Sequence, residues 1–277
     1  MPKFTFNILF YYVKKIILFV LISIVSLNLV AQDSTDRKRP DRKAEKRERI
    51  NAIIKQEEEG NLSFRKQNAF GIMLRSNGYG LFYELGKRRS PRYSNLYLIE
   101  LTEIKHRKED KLGGAENFFS NSYVFGKQNN FYQFKLGFGQ QYILGQKGNK
   151  NGVAITANVT GGLTMGLLKP YYIQAVDSTG REVTISYEKD SVTFLSRGSI
   201  IGGAGFTEGW SELKLRPGLF AKAALRFDFK RYNDKIEALE VGVSVEGYAQ
   251  KIPQMVFNEP RRLFFQGHVA LVFGGRK

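Results

Sequence analysis

Apolar and polar residues alternate along the stretch 153–168, which is longer than an ordinary strand. Val153, Ile155 and Val159 belong to an apolar register, whereas the positions between them are small or polar. Successive side chains of a β-strand point to opposite faces, so the pattern predicts a strand with one apolar and one polar face. Soluble strands usually have about five or six residues, and a tilted strand crosses a bilayer with roughly 9–11. The stretch is therefore typical of a transmembrane strand.

Seven further segments alternate in the same way: 68–75, 79–87, 95–105, 131–144, 215–229, 238–248 and 264–273. The connections after the second, fourth and sixth strands are short, and those after the third, fifth and seventh are longer. Only the hairpin at Asn77 and Gly78 interrupts this order. Short periplasmic turns and long outer loops are typical of outer-membrane barrels. We therefore expect an all-β fold, a closed antiparallel transmembrane barrel of about eight strands; a soluble β-sandwich is the alternative.

The N-terminal region has a different composition and predicts two further segments. Lys3, Lys14 and Lys15 precede an apolar run, 16–30, that ends at Ala31, as in a secretory signal peptide. An uncleaved membrane anchor is the alternative. The following residues are dense in both charges, with a narrow helical stripe at 50–54. The expected organisation is a signal peptide (1–31), a charged periplasmic linker with a short helix (32–66) and the barrel (67–277). The linker is either a docking arm or a spacer.

Net charge and cysteine content narrow the function classes. The chain of 277 residues has a formal net charge of +17 and no cysteine. Disulfides, thiolate metal sites and a lipid-anchored cysteine are therefore excluded. Acidic residues lie among the basic ones throughout the linker, and a secreted chain rarely meets nucleic acid, so we expect no nucleic-acid partner. We also expect no metal and no cofactor.

The predicted barrel, over residues 68–273, resembles the small outer-membrane barrels of Gram-negative bacteria of the OmpA and OmpX type. Its last strand, F-F-Q-G-H-V-A-L-V-F, is similar to the aromatic-ended closing strand that the barrel-assembly machinery recognises in that class, but four residues follow Phe273. The A-Q-D end of the signal and the lysine-rich turns resemble uncharacterised barrels of the Bacteroidota. The resemblance implies an outer-membrane location, with the N-terminal arm and the C-terminus in the periplasm. It implies no particular activity.

Charged residues on the inward register of the predicted strands form the first candidate site. The interior of an eight-stranded barrel is just wide enough to be filled by side chains, and buried charges need partners. We expect an ion-pair network that plugs the lumen, with a proton or ion path as the alternative. Its predicted members are Arg75, Glu84, Glu100, Lys135, Lys222, Arg226, Asp228, Glu240 and Glu246.

Basic residues in the short turns form the second candidate site, a basic ring on the predicted periplasmic side. We expect it to contact anionic phospholipid headgroups or an acidic partner; solvated turns are the alternative. Its predicted members are Lys87, Arg88, Arg89, Arg92, Lys147, Lys150, Lys230, Arg231 and Lys235. Cations in the outer loops could contact lipopolysaccharide phosphates: Lys105, Arg107, Lys108, Lys111, Arg261 and Arg262. Tyr171 and Tyr172 are expected in an interface girdle.

The two histidines, His106 and His268, are the candidates for catalysis. Lipid A deacylases of this barrel class use a strand histidine with a nearby serine, and no serine lies two residues from either histidine. We therefore predict no catalytic residues and no enzyme. The favoured function is a structural or accessory subunit of an envelope complex for barrel assembly or secretion, in contact with outer-membrane lipids, lipopolysaccharide and envelope proteins. A lipid A-modifying enzyme and a narrow pore are the alternatives.

Overall fold

The computed structural model describes residues 47–48, 51, 65–113, 121–147, 152–230 and 235–277. The chain divides into two units, Met1–Lys55 and Gln56–Lys277, and the second contains all the strands described below. The predicted signal peptide and all of the predicted linker except residues 47–48, 51 and 65–66 lie outside the described residues. No helix in the described part of the chain is long and apolar enough to cross a membrane.

Eight long strands form one closed antiparallel sheet: β1 (Lys66–Arg75), β2 (Gly78–Arg88), β3 (Tyr93–Ile104), β6 (Asn129–Gly145), β7 (Ala154–Pro170), β11 (Lys214–Asp228), β12 (Lys235–Ile252) and β13 (Arg261–Arg276). Their order around the barrel is β1-β13-β12-β11-β7-β6-β3-β2. The closed antiparallel barrel of eight strands is confirmed.

The register of the sheet fixes the tilt of the strands. Arg75 of β1 pairs with His268, and the pairing continues around the barrel until Arg88 donates its N–H to the Arg65 carbonyl. A path that follows paired residues once around the barrel therefore starts at Arg75 and returns to β1 at Arg65, ten residues earlier. The steps between are His268 to Gly242, Ala224, Asn158, Gln141, Ser94 and Arg88. A register stagger of this kind tilts every strand relative to the barrel axis.

The two faces of the wall carry the two registers of the sequence pattern. On β7, Val159 and Leu163 point outward and are more than 60% exposed, whereas Asn158 and Thr164 point inward and are buried. The outward face of the other strands is equally apolar, with Leu219, Leu225 and Phe265 among its exposed side chains. A soluble sandwich would bury such a face. The sandwich alternative is therefore wrong.

The two ends of the barrel differ. At one end, here the turn end, β1 begins, β13 ends, and three short connections lie at 89–92, 146–153 and 229–234. At the other, here the loop end, the connections are the hairpin 76–77 and the segments 105–128, 171–213 and 253–260. This is the asymmetry that the spacing of the predicted strands indicates.

The longest connection at the loop end folds into a small unit, here the platform. It contains β8 (Tyr172–Val176), β9 (Glu182–Ser186), α1 (Ser191–Leu195) and β10 (Ile200–Gly203). Tyr123 of β5 (Tyr123–Val124), the partner of β4 (Lys111–Leu112), packs into the same apolar cluster. The cluster consists of Tyr123, Ile173, Ala175, Ile185, Phe194 and Ile200.

Several predicted boundaries are corrected by the pairing of the backbone. β13 begins at Arg261 rather than 264 and continues through Gly274 to Arg276, since both neighbours still pair there. β12 likewise extends to Lys235 and Ile252, beyond the alternating segment 238–248. In the platform, β9 ends at Ser186, and Asp190 caps the helix that follows. Backbone pairing continues where the side-chain alternation has stopped.

Candidate functional site

The lumen holds all nine charged residues that the inward register predicts, and each of them is at most 7% exposed. Eight of them form one chain of alternating charge. Four carboxylates face four cations, so the chain is electrically balanced when all eight are ionised. In order, its members are Arg75, Glu246, Lys135, Glu100, Lys222, Glu240, Arg226 and Glu84.

The half of this chain nearer the loop end is centred on Glu246. Its Oε1 lies 2.5 Å from Arg75 Nη2 and 2.7 Å from Lys135 Nζ. Lys135 also donates to Glu100 at 2.8 Å, and Arg75 donates to Gln133 at 3.0 Å. Charge-assisted hydrogen bonds are about twice as strong as neutral ones, and these hold side chains from several strands together.

The half nearer the turn end is centred on Glu240. Arg226 donates to Glu240 Oε2 at 2.5 Å and 2.9 Å and to Glu84 Oε2 at 2.6 Å. Lys222 Nζ lies 3.0 Å from Glu240 Oε1 and 3.8 Å from Glu100 Oε2, which joins the two halves. His268 Nε2 lies 3.4 Å from the same Glu240 Oε1.

Asp228 is the ninth predicted residue and lies apart from the chain of eight. Arg276 Nη2 lies 2.8 Å from Asp228 Oδ2, and Lys147 Nζ lies 3.6 Å from Oδ1. These partners come from the last strand and from the turn after β6, so this second cluster ties the turn end of the barrel together.

Apolar layers cover the charged chain on both sides. Toward the loop end, Phe131, Tyr248 and Phe264 pack ring against ring with centroids 5.5–5.9 Å apart, beside Ile104, Leu168 and Ile252. Toward the turn end, Ala69, Ile236, Ala238 and Val272 belong to the larger apolar cluster. The lumen is thus filled by side chains in layers.

Neutral polar residues complete the lumen, whereas the predicted site contained charged residues only. Gln133 accepts from Arg75 and donates to Tyr248 Oη at 2.6 Å. Asn158 donates to Glu240 at 3.1 Å, and Gln266 donates to Glu246. Gln133, Asn158, Tyr248 and Gln266 all lie on the inward register of their strands. The register places them inside the barrel, but their hydrogen bonds to the charged chain depend on the closure of the sheet.

Some residues of the basic ring are exposed at the turn end, and others have hydrogen-bond or ion-pair partners. Lys87, Arg89, Arg92 and Lys235 are exposed. Lys147 donates to the Lys230 carbonyl, and Lys230 is paired with Glu237. Arg88 donates to the carbonyls of Ser90 and Pro91 at 3.1 Å. Lys150 and Arg231 lie outside the described residues. A membrane or partner contact by this ring stays a prediction.

The six cations predicted to meet lipopolysaccharide all lie at the loop end, and all six are exposed: Lys105, Arg107, Lys108, Lys111, Arg261 and Arg262. Lys105 Nζ lies 5.1 Å from the centre of the Tyr79 ring. His106 lies beside them. Burial, followed by the charges of Arg261 and Lys108, lowers its pKa against the opposing effect of Glu109. At neutral pH this histidine is therefore uncharged.

The expectation of an interface girdle at Tyr171 and Tyr172 is wrong. Tyr172 is 7% exposed; its hydroxyl donates to Glu212 at 2.7 Å and accepts from Lys189 at 2.6 Å. The Tyr171 hydroxyl accepts the N–H of Val124 at 3.1 Å. Both tyrosines brace the platform, because β7 continues to Pro170 and carries them above the apolar band.

Another aromatic pair lies on the outward side of the wall instead. Trp210, the single tryptophan, stacks on Tyr132 with ring centroids 5.8 Å apart and an angle of 18° between the planes. Phe206 meets Trp210 edge to face, and Lys169 Nζ lies 5.0 Å from the Trp210 ring. Nothing in the local sequence indicated this contact, because Trp210 comes from a connection and Tyr132 from a strand.

The histidines and carboxylates show no arrangement for catalysis or metal binding in the described part of the chain. His106 Nδ1 accepts the N–H of Lys108, His268 faces Glu240, and neither is hydrogen-bonded to a described serine. No group of three or more His, Asp or Glu suitable for a metal occurs among the described residues.

No family model and no curated protein matches the chain. Solved structures with a similar fold include Neisserial surface protein A (10% identity, TM-score 0.36, 76% of this chain and 96% of that chain). The N-terminal β-barrel domain of Pseudomonas aeruginosa OprF (9%, 0.34, 76% and 99%) and Ail, the attachment invasion locus protein of Yersinia pestis (9%, 0.33, 76% and 96%), are two others. The likeness is one of fold and assigns no ligand, partner or activity to this chain.

Proposed function

We propose that this protein is a non-enzymatic outer-membrane β-barrel that serves as an accessory subunit of an envelope complex. The observation that carries the proposal is a filled lumen beneath a folded platform. A barrel whose interior is occupied by eight linked charges and two apolar layers offers its surfaces, rather than its interior, for function.

The outward face supports placement in a membrane. Its apolar side chains form a continuous band around the barrel, from Leu81 on β2 to Leu271 on β13. Transmembrane barrels carry such a band about 25 Å tall, and large exposed apolar areas are rare on soluble monomers. In this proposal the turn end faces the periplasm and the loop end faces outward, as short turns and long loops do in this class.

The platform supports a contact at the loop end. It has its own apolar core, yet large apolar side chains remain on its surface and on the neighbouring connection. Val192 is 81% exposed, Phe206 69% and Phe257 64%. Exposed apolar side chains on a folded loop are typical of protein contacts. A partner that covers them, from barrel assembly or secretion, fits this end; the linker 32–66 would supply a second contact in the periplasm.

Photo-crosslinking in intact cells tests the proposal. A crosslinking amino acid at Val192 or Phe257 should capture the same envelope protein, and the same group at the lipid-facing Leu219 should capture none. Deleting residues 33–60 should weaken co-purification of that protein. Absence of protein crosslinks from both loop-end positions, with a lone monomer after mild extraction, would overturn the accessory role.

Mass analysis of lipid A tests the non-enzymatic part. Cells that produce the protein and cells that produce His106→Ala should contain the same lipid A species. A change of mass that depends on His106 would show that the barrel is an enzyme.

A further inference from the structure

The pairing between β11 and β12 ends before the loop end of the barrel is reached. The two strands pair up to Gly218 and Tyr248, whereas β11 continues to pair with β7 as far as Lys214. β12 also shifts its register against β13 between Gly247 and Ile252. Such irregularities bend the strand and leave part of its backbone outside the regular ladder. The outward surface is therefore recessed at this seam.

A groove of about 710 Å³ occupies this recess. Its outward walls are the side chains of Leu163, Leu219, Ala221, Val245, Ala249 and Leu263. Small-molecule sites usually have about 300–1,000 Å³ and a mainly apolar lining. The groove has the volume of a ligand site, although it is shallow and open toward the outside of the barrel.

Gly247 lies on the outward register of β12 and helps to keep the groove open. Gly218 lies on the inward register of β11, where a Cβ would be only 2.3 Å from the carbonyl oxygen of Gly247, so the two strands are closely apposed beneath the groove. A Cβ at Gly247 would lie 3.2 Å from Leu263 Cδ2 and would begin to fill the groove. Glycine within a strand often marks a close approach of a ligand or another backbone.

Positive charge lies directly beyond the groove, toward the loop end. Lys251 follows the groove residue Ala249 by two positions, and Arg261 precedes the groove residue Leu263 by two. Both cations are exposed, and neither forms an ion pair with a described carboxylate. Arg262 adds a third charge, and Glu259 is the one acidic residue of the connection 253–260. The rim of the groove is therefore net positive.

We propose that the groove holds an acyl chain of one lipopolysaccharide molecule, whose lipid A phosphates lie between Lys251 and Arg261. An apolar trough lets a flexible acyl chain lie along the wall, and Lys and Arg bind phosphate through charge-assisted hydrogen bonds. Ile252 pairs with Arg261, which places Lys251 next to Arg261. Together with Arg262, these three neighbouring cations suit a headgroup with two phosphates. The assignment rests on the proposed membrane orientation, which places this groove in the outer leaflet.

Native mass spectrometry of the full-length mature protein, refolded in detergent, tests the assignment. The probes are diphosphoryl lipid A, monophosphoryl lipid A and phosphatidylglycerol. The wild type should bind one diphosphoryl lipid A in preference to the others. Charge reversal at Lys251 and Arg261 should weaken that binding at least tenfold, as expected when hydrogen bonds between charged groups are lost. It should also remove the preference for the second phosphate.

Substitutions that fill the groove provide the matched comparison. Ala221→Phe should abolish retention of the lipid. Ala223→Phe adds the same ring two positions along the outward face of the same strand, outside the groove, and should retain it. Heat-modifiable gel migration shows whether each variant folds. If Ala221→Phe does not fold, Ala249→Phe is a second variant that fills the groove.

Three results would overturn the assignment: no lipid A on the folded wild type, equal loss in both Phe variants of β11, or equal affinity for phosphatidylglycerol. Membrane fractionation separates this failure from that of the proposed function. A barrel that reaches the outer membrane but binds no lipid A refutes the groove assignment alone, whereas a barrel absent from that membrane refutes the proposed function.

Discussion

Arg226 and Glu84 meet across the full width of the barrel. Arg226 lies on β11 and Glu84 on β2, which are four places apart in either direction around the eight-stranded wall. Their side chains nevertheless join at 2.6 Å between Nη2 and Oε2, and both are buried. A side chain that spans the lumen blocks it and also ties opposite walls together.

Removal of Arg226 should therefore be costly. In Arg226→Ala, Glu84 and Glu240 keep their charge in a buried site without their closest cation, and breaking a buried pair in this way costs about 3–5 kcal/mol. Urea unfolding in lipid vesicles, followed by Trp210 fluorescence, should show this loss. Lys230→Ala breaks a more exposed pair with Glu237 and should cost less than about 1 kcal/mol. Equal costs for the two variants would contradict a structural role for the lumen chain.

Neighbouring glycines on β7 should respond differently to the same methyl group. A Cβ at the inward Gly162 would lie 2.1 Å from the carbonyl oxygen of Leu136, whereas a Cβ at the outward Gly161 would be 3.4 Å from its nearest neighbour. Gly162→Ala should therefore reduce folding yield or stability by more than about 1 kcal/mol, the lower end for overpacking. Gly161→Ala should be close to neutral. Refolding yield on a heat-modifiability gel, with urea unfolding, measures both.

The closed lumen should also be electrically silent. In planar bilayers the wild-type barrel should give no conductance steps, because the chain of eight charges and the Phe131, Tyr248 and Phe264 layer fill its interior. The double variant Phe131→Ala and Arg226→Ala removes one side chain from the aromatic layer and one from the charged chain. It should produce conductance steps where the wild type has none. Regular steps from the wild-type protein would favour the narrow-pore alternative.

The sequence predicts the barrel well because β-strand geometry is local. Side chains alternate with a period of two, so Thr156, Asn158 and Glu240 could be placed inside the wall from their position in the strand alone. The same period placed the nine buried charges. It could not say that Arg226 would reach Glu84 rather than only the neighbouring Glu240, because that contact depends on the closure and stagger of the whole sheet.

The loop end was predicted poorly, for a physical reason. The contacts of Tyr172 with Lys189 and Glu212, and of Trp210 with Tyr132, join residues that are far apart in the chain and follow no period. The groove is equally invisible in the sequence, because it results from where the pairing of β11 and β12 ends. Ala221 and Gly247 resemble other small residues of the outward face.

Trp210 provides a direct measure of membrane depth. It stacks on the outward Tyr132 and is the only tryptophan, so its fluorescence reports one position. Aromatic girdles lie at the membrane interface, so lipids brominated near the carbonyl groups should quench it more than lipids brominated near the chain ends. Tyr132→Leu removes the ring on which the Trp210 indole stacks, so it should reduce the difference in quenching between the two lipids. Stronger quenching from the chain ends would contradict this placement of the apolar band.

The platform should depend on pH through Glu212, which lies outside the barrel wall. The hydrogen bond from Lys189, followed by that from Tyr172, lowers the pKa of Glu212 below its ordinary value of 4.5. A carboxyl with a lowered pKa in the folded state stabilises it above the ordinary pKa, and this contribution is lost as the pH falls through the folded value. The hydrogen bond to Glu212 also raises the pKa of Lys189, so that its contribution is fully present at neutral pH and is lost only in strong alkali.

Hydrogen exchange of the amides in β8 and β9, corrected for the intrinsic pH dependence of exchange, should therefore show constant protection near neutrality and weaker protection below about pH 4.5. The effect should be less than about 1 kcal/mol, because both side chains are more than 40% exposed and solvent screens the pair. Glu212→Gln should reduce the pH dependence and leave the protection of the barrel strands unchanged; Asp177 and Asp190, whose pKa values are also lowered by hydrogen bonds, account for the remainder. If protection in this variant falls with pH as in the wild type, another group controls the platform, since glutamine cannot titrate.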